Sequence, residues 1–472
     1  MFYHLPLIAF LVFILSCKQT SSPVEHSSVV AETKANVVST VRDSFETGKV
    51  IDRVVCNNNA SQSFALYLPK NYSKAATYAV IYFFDAHASG RLPLDKYFSL
   101  ADEFNFILIG SNDSKNGMQS EALMNIATHL MQEVQKRFSI NTSRQYVAGF
   151  SGGARVAGMA AMQTQGIAGV IACSASINTN NQNNLPFCFV GIAGKEDFNM
   201  NELVTQNKQL DQSSTPHHLL FFNGKHEWCP LATMKDGFLF LETVAMRNKI
   251  IPVNTTLLNN FKSVEEKNAK QLQSANHLTE AANTYQKLIH YLVQLQDVKS
   301  YEQKLAFLQQ NKSFQITRAK EDQLLAEENQ LRQTYMSAFG KEIPWWKNEI
   351  GKMNEEIKKN ETNDRAFMLQ RVLGSLSLAS YMQANSSLNA NQLEKANYIL
   401  QIYCLVDPAN SEAWYMSAEL HAKQNNTAAT LKELQKAIDN NFKERDRMMN
   451  DPAFTTLANT PEFIELLNKI KT

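Results

Sequence analysis

The sequence predicts an α/β fold, a doubly wound and mostly parallel sheet, followed by an all-α helical domain. Three observations carry this. Before residue 250, short runs rich in β-branched and aromatic residues alternate with stretches of helical period. Among them, Gln145 to Arg155 (QYVAGFSGGAR) leads an apolar strand through a glycine-flanked serine into a small-residue helix. From about residue 262 the strand signal vanishes, and Gln, Glu, Lys, Ala and Leu take over.

Taken in order, Val50 to Cys56, Phe64 to Leu68, Ala79 to Phe84 and Phe106 to Gly110 read as strands. Helical patterns at 118–137, 153–165 and 230–248 separate the later strands. Phe187 to Gly194 (FCFVGIAG) is the unbroken apolar run of a buried strand, and His218 to Trp228 (HLLFFNGKHEW) holds a last strand that ends at Asn223-Gly224. Pro252 closes the last helix, so the α/β domain spans 46–252.

Gly149 to Gly153 has the form G-x-S-x-G, which at a strand-to-helix turn is a nucleophile elbow. The small neighbours let strand and helix close on each other, so that the Ser151 hydroxyl stands clear at the sheet end, and the Gly152 N–H is placed to donate to an oxyanion. A triad of this type continues with an acid and then a histidine, each on a loop after a strand. Asp197 follows Ser151 by 46 residues, just past the FCFVGIAG strand, with Glu196 as the rival acid; His226 follows 29 residues later on the loop after the last strand. His217 and His218 begin that strand at the opposite sheet edge and read as structural, while Glu227 reads as solvated or loop-orienting.

Residues 46–250 resemble the α/β-hydrolase fold, and in particular serine esterases of the polyhydroxybutyrate-depolymerase and feruloyl-esterase type. The matching strings are SFALYLPKNY (from Ser63), IYFFDAHASGR (from Ile81), GFSGGAR (from Gly149), GKED (from Gly194) and GKHEW (from Gly224). The resemblance implies ester hydrolysis by Ser151, His226 and Asp197 with no metal or organic cofactor. Such enzymes carry His-Gly or Asp-Gly after the third strand, whereas this chain has Asp85-Ala86-His87, which leaves the second oxyanion donor open between the backbone N–H groups of His87 and Ala86. No H-x-H or H-E-x-x-H spacing accompanies His87, so it is expected to form a pocket wall rather than a metal ligand. Trp228 and the stretch SNDSKNG (from Ser111) fall on the same face. An aromatic with amide-rich loops suits a small-molecule or carbohydrate-linked ester, and both could equally be loop structure.

The 472 residues are 44% apolar and carry a net charge of +1. That is ample material for more than one core, and it leaves no basic stripe to displace counterions, which argues against a nucleic-acid partner. Residues 1–16 (MFYHLPLIAFLVFILS) form an apolar run shorter than the roughly 20 residues that span a bilayer, and read as a signal peptide. Ile14-Leu15-Ser16-Cys17 resembles the lipobox of bacterial lipoproteins, which implies lipidation at Cys17, a membrane anchor, and a place on the periplasmic or surface face of a bacterial envelope. An uncleaved anchor is the other reading. Residues 17–45 then read as a polar tether. Five cysteines follow Cys17, so at least one is unpaired and a disulfide scaffold is not expected; of the possible pairs Cys173 suits Cys229 better than Cys188 does.

In the helical domain (262–472), Leu278, Ala281, Tyr285, Leu288, Tyr291 and Leu295 recur at three- and four-residue steps, one buried stripe of a helix. The stretch 411–444 resembles a tetratricopeptide repeat, with Trp414, Ala418 and His421 on a first helix and Leu434 and Ala437 on a second; a partial unit precedes it. Pro452-x-Phe454-x-x-Leu457 recurs at Pro461-x-Phe463-x-x-Leu466, with Asp451 and Thr460 as N-caps, which reads as a cap over 451–470. Trp345 and Trp346 are open between partner surface and core. The domain could recruit a protein partner or shield the cleft. The alternative to an esterase is an inactive hydrolase domain that carries a helical-repeat binding module.

Overall fold

A computed structural model describes residues 44–359, 361 and 363–470. The predicted leader, Cys17 and nearly all of the tether lie outside these residues. The α/β part comprises β1 (Val50–Val55), β2 (Ser63–Tyr67), β3 (Tyr78–Phe84), α1 (Arg91–Phe104), β4 (Phe106–Ser111), α2 (Ser120–Arg137), β5 (Ile140–Phe150), α3 (Gly152–Gln163), β6 (Ile167–Cys173), β7 (Cys188–Gly194), α4 (Met200–Leu210), β8 (His217–Phe222) and α5 (Leu231–Arg247).

The strands form one eight-stranded sheet in the order β1-β2-β4-β3-β5-β6-β7-β8. β1 and β2 pair antiparallel, β2 joins β4 antiparallel, and every later pairing is parallel. This is the doubly wound sheet of the α/β-hydrolase class. β3 (YAVIYFF) is buried along its whole length, as a central parallel strand covered on both faces must be. Its odd-numbered residues Ile81 and Phe83 face α1 and α5, while Val80, Tyr82 and Phe84 face α2 and α3. The parallel registers Phe84 with Gly149, Phe150 with Cys173, and Gly194 with Phe222 set the carboxyl ends of β3, β5, β6, β7 and β8 along a single edge.

The helical part follows as α6 (Thr255–Ser274), α7 (Leu278–Leu292), α8 (Lys299–Gln309), α9 (Lys312–Met336), α10 (Ile343–Lys359), α11 (Asp364–Asn389), α12 (Leu393–Val406), α13 (Ser411–Lys423), α14 (Thr427–Asp439), α15 (Arg445–Asn450) and α16 (Pro461–Lys469). The buried stripe of α7 is Ala281, Tyr285, Leu288 and Tyr291; Leu295 lies past the end of the helix, half-buried. That stripe packs on the sheet side: Tyr291 meets Phe240 of α5 and the ring of His218 on β8. One continuous core therefore runs from the sheet through α5 into α6, α7 and α8.

Trp346 is fully buried against Tyr335 and Phe339, so it is core. α13 and α14 form the helix pair expected over 411–444, with the Trp414 indole N–H donating to the Pro408 carbonyl. Near the C-terminal end of the described residues, the Asp451 side chain accepts the Ala453 N–H as the expected N-cap, and Pro452–Phe454 is a single 3-10 turn. Thr460 is likewise the N-cap residue of α16, but its hydroxyl donates to the Leu457 carbonyl and makes no side-chain bond to the first turn. Phe454 and Phe463 close over Tyr415, Leu434 and Ala437.

Candidate active site

β5 ends where the chain must turn sharply into α3, and the sequence supplies glycines where the turn is tightest. A Cβ on Gly149 would stand 2.1 Å from the Gly153 carbonyl oxygen, and one on Gly153 would stand 1.9 Å from that of Phe84. Between them Ser151 takes φ 55 and ψ −121, a strained conformation for a residue with a side chain. Its N–H is fixed on the Cys173 carbonyl at 2.9 Å, which ties the turn to the end of β6.

Ser151 Oγ lies 2.9 Å from Nε2 of His226, and Nδ1 of His226 lies 2.9 Å from Oδ1 of Asp197. Asp197 is fully buried. The same Oδ1 accepts the Asn199 N–H at 2.8 Å, and Asn199 in turn donates from its carboxamide to the Ser174 carbonyl, so the acid loop is stitched to the loop after β6. Glu196 is only half-buried and makes no bond to His226; its N–H goes to the Gly224 carbonyl. Among the rival carboxylates, then, the one that reaches the imidazole is Asp197. His217 and His218 sit at the far end of β8, as expected of structural residues.

Two sequence expectations need correction. The His87 N–H donates to Asp85 Oδ1 at 2.8 Å and is not free for an oxyanion, because Asp85 folds back over its own turn. The Ala86 N–H remains of the two. The His87 ring is 76% exposed, 3.6 Å from Asp85. Trp228, expected at the pocket, is 4% exposed; it packs against Phe83, Tyr97 and Phe150 and donates its indole N–H to Asp85 Oδ2 at 2.8 Å. It is a strut beneath the site. Burial works to raise the Asp85 carboxyl, but the bonds from His87 and Trp228 outweigh it and hold the group below the usual carboxylate range.

The cysteines are all free among the described residues. Cys173 lies against Cys229, the pairing favoured from the sequence, but as a thiol; burial pushes Cys173 well above the ordinary range, so it carries no thiolate.

Sequence reasoning missed three neighbours of the relay. Phe198 stacks on the His226 ring with centroids 4.1 Å apart, and Phe150 flanks the same ring at 4.9 Å. Asn116, within the amide-rich stretch, has its carboxamide against Gly152: a Cβ there would stand 1.7 Å from Asn116 Oδ1. Gly152 opens α3, where backbone N–H groups lack intrahelical acceptors and the helix dipole favours negative charge. The arrangement can therefore deprotonate a serine hydroxyl and bind the anion that its attack would create. Among the described residues no group of three or more His, Cys, Asp or Glu is placed to hold a metal ion.

No family model and no curated protein sequence matches this chain. Solved structures do align with it. The S-formylglutathione hydrolase of Staphylococcus aureus does so at 16% identity over 38% of this chain and 90% of its own, with a TM-score of 0.32. For the feruloyl esterase module of Clostridium thermocellum the values are 11%, 40%, 84% and 0.33. For the hyperthermophilic esterase of the archaeon Pyrobaculum calidifontis they are 11%, 44%, 88% and 0.34.

Proposed function

We propose that the protein is a serine hydrolase that cleaves carboxylic esters through an acyl-enzyme. The observation that carries this reading is the unbroken relay from Ser151 Oγ through His226 to buried Asp197, each link 2.9 Å, with the serine held at a strained elbow. Strain of that kind persists only where surrounding structure over-determines it, and it accumulates at functional sites.

In the first half-reaction His226 Nε2 takes the Ser151 proton as Oγ attacks the acyl carbon. Asp197 accepts the Nδ1–H, which fixes the tautomer and supports the imidazolium. The N–H of Gly152, with that of Ala86, binds the oxyanion. His226 then returns the proton to the leaving alcohol. In the second half a water gives its proton to His226 and adds to the acyl carbon, and Ser151 leaves with that proton as the acid is released.

The substrate is a small-molecule or carbohydrate-linked ester, on the strength of the amide-rich loop that brings Asn116 to the elbow. The apolar leader and the lipobox-like Ile14 to Cys17 support a lipid anchor at Cys17, on the periplasmic or surface face of a bacterial envelope. The test is fluorophosphonate labelling beside turnover of a short-chain nitrophenyl ester, for wild type and Ser151→Ala. Labelling and turnover that vanish together in the variant are expected; a folded wild type that does neither ends this reading. Metabolic labelling with a palmitate analogue tests the anchor, and an unlabelled mature protein removes it.

A further inference from the structure

The loop that carries Asp197 is held from outside the α/β part. Arg371, buried on α11, donates from Nη1 to the Lys195 carbonyl at 2.6 Å. Arg332 on α9 donates from Nη2 to the Phe198 carbonyl at 2.5 Å. These two carbonyls lie on either side of Asp197. Both guanidinium groups converge on one carboxylate, that of Glu328, which is fully buried: Arg371 meets Oε2 through Nε at 2.9 Å and Nη2 at 2.7 Å, and Arg332 meets Oε1 at 2.6 Å. α11 also presents Gly374 to the Phe198 ring, and a Cβ there would sit 3.2 Å from its Cδ1. Phe198 is thereby seated between α11 and the His226 imidazole on which it stacks.

We infer that the helical domain completes the catalytic relay: Glu328, Arg332 and Arg371 form a clamp that sets the acid loop, and through Asp197 and Phe198 the orientation of His226. The inference rests on the esterase reading above. Three features argue for positioning rather than simple adhesion. The clamp contacts only backbone carbonyls, so it fixes where the loop lies without altering its side chains. Two cations share one buried anion, and each also donates to a loop carbonyl, Arg371 from Nη1 and Arg332 from the same Nη2 that meets Glu328. Charge-assisted bonds are the strong and geometrically exacting kind, and Arg371 meets its carboxylate with two nitrogens of its planar fork. These three are positioning residues, since none touches Ser151 or His226.

Misplacement of a catalytic group by about 1 Å costs about 10²-fold in rate. For Arg371→Met and Arg332→Met in the full chain, kcat on a nitrophenyl ester is expected to fall about 10- to 100-fold with KM within about threefold. Arg371→Lys, which keeps charge and one donor, should fall between. Each single variant leaves buried Glu328 less compensated, Arg371→Met at Oε2 and Arg332→Met at Oε1, so the double variants Arg371→Met/Glu328→Gln and Arg332→Met/Glu328→Gln guard against simple misfolding. The second readout is deuterium uptake by intact protein: faster at 195–199 and unchanged in β5 and α3. Faster loop uptake with lowered kcat supports the clamp. Folded variants with wild-type kcat, or with unchanged loop uptake, overturn it. If wild type itself neither labels nor turns over, the esterase reading fails and loop uptake alone decides whether the clamp exists.

Discussion

Trp228 donates its indole N–H to Oδ2 of Asp85 at 2.8 Å, across 143 positions of sequence. The other oxygen of that carboxylate takes the His87 N–H, so the loop after β3 and the loop after β8 share one buried anchor. Trp228→Phe keeps the ring packing against Phe83 and Tyr97 but leaves Asp85 Oδ2 without its donor. A buried polar atom that loses its partner costs about 1–3 kcal/mol. A fall of that size in urea-unfolding free energy is expected, with kcat reduced as the Ala86 turn loosens; a variant as stable as wild type would refute the anchor.

The elbow glycines differ in what a methyl group would strike. At Gly153 and Gly149 it meets backbone, 1.9 Å from Phe84 O and 2.1 Å from Gly153 O; at Gly152 it meets the end of the Asn116 side chain. Overpacking costs about 1–3 kcal/mol where neighbours can shift and more where they cannot. Gly153→Ala and Gly149→Ala should therefore fail to fold or unfold at far lower denaturant, while Gly152→Ala folds with Asn116 displaced and turnover impaired. Equal denaturation midpoints for the three would contradict this ordering.

Asp197→Asn preserves shape but can stabilise the wrong His226 tautomer, because a carboxamide N–H offered to Nδ1 leaves the proton on Nε2, facing Ser151. A loss in kcat of about 10⁴-fold is expected at pH 7. Glu196→Gln, whose N–H and not its carboxylate is bonded in the loop, should change kcat by less than about twofold. A reversed outcome would reassign the acid.

The strand ends that carry Ser151, Asp197 and His226 could be read from sequence because each is a local pattern: an apolar run, then a loop with a reactive side chain. Chain order supplied the rest. His87 and Trp228 were misread because what decides them is Asp85, whose partners lie two and 143 residues away, and no local periodicity encodes that choice. The α7 stripe likewise announced a buried face without naming what buries it, and the sequence reading passed over Glu328, Arg332 and Arg371. Long-range pairing of polar groups has no signature in a single sequence.

Behind the sheet, His290 of α7 meets His218 of β8, Nδ1 to Nδ1 at 3.2 Å, and also faces the His217 carbonyl at 3.1 Å. One proton serves this contact: His290 donates from Nδ1, and His218 must keep its own Nδ1 bare. Burial, followed by the nearby His217, pushes His290 down to about 4, with Asp211 acting the other way and Arg247 adding to the depression. His218 is held well below the ordinary histidine range, by burial first and then by His290, Lys287 and His217. Both shifts are depressions. Below about pH 6.5 the unfolded chain takes up protons that the native chain refuses, so stability is fully present above that pH and is lost as the pH falls toward about 4. At about 1.4 kcal/mol per pKa unit, His290 alone contributes about 3 kcal/mol to the loss, and His218 adds in the same direction. Most carboxylates titrate below pH 5, so between pH 7 and pH 5 the histidines dominate the slope. Urea titrations at pH 7, 6 and 5 should show stability falling, and His290→Gln, which keeps a donor for the His217 carbonyl but cannot titrate, should flatten the fall. An identical slope in the variant would mean that the unfolded chain does not gain its extra protons at this contact.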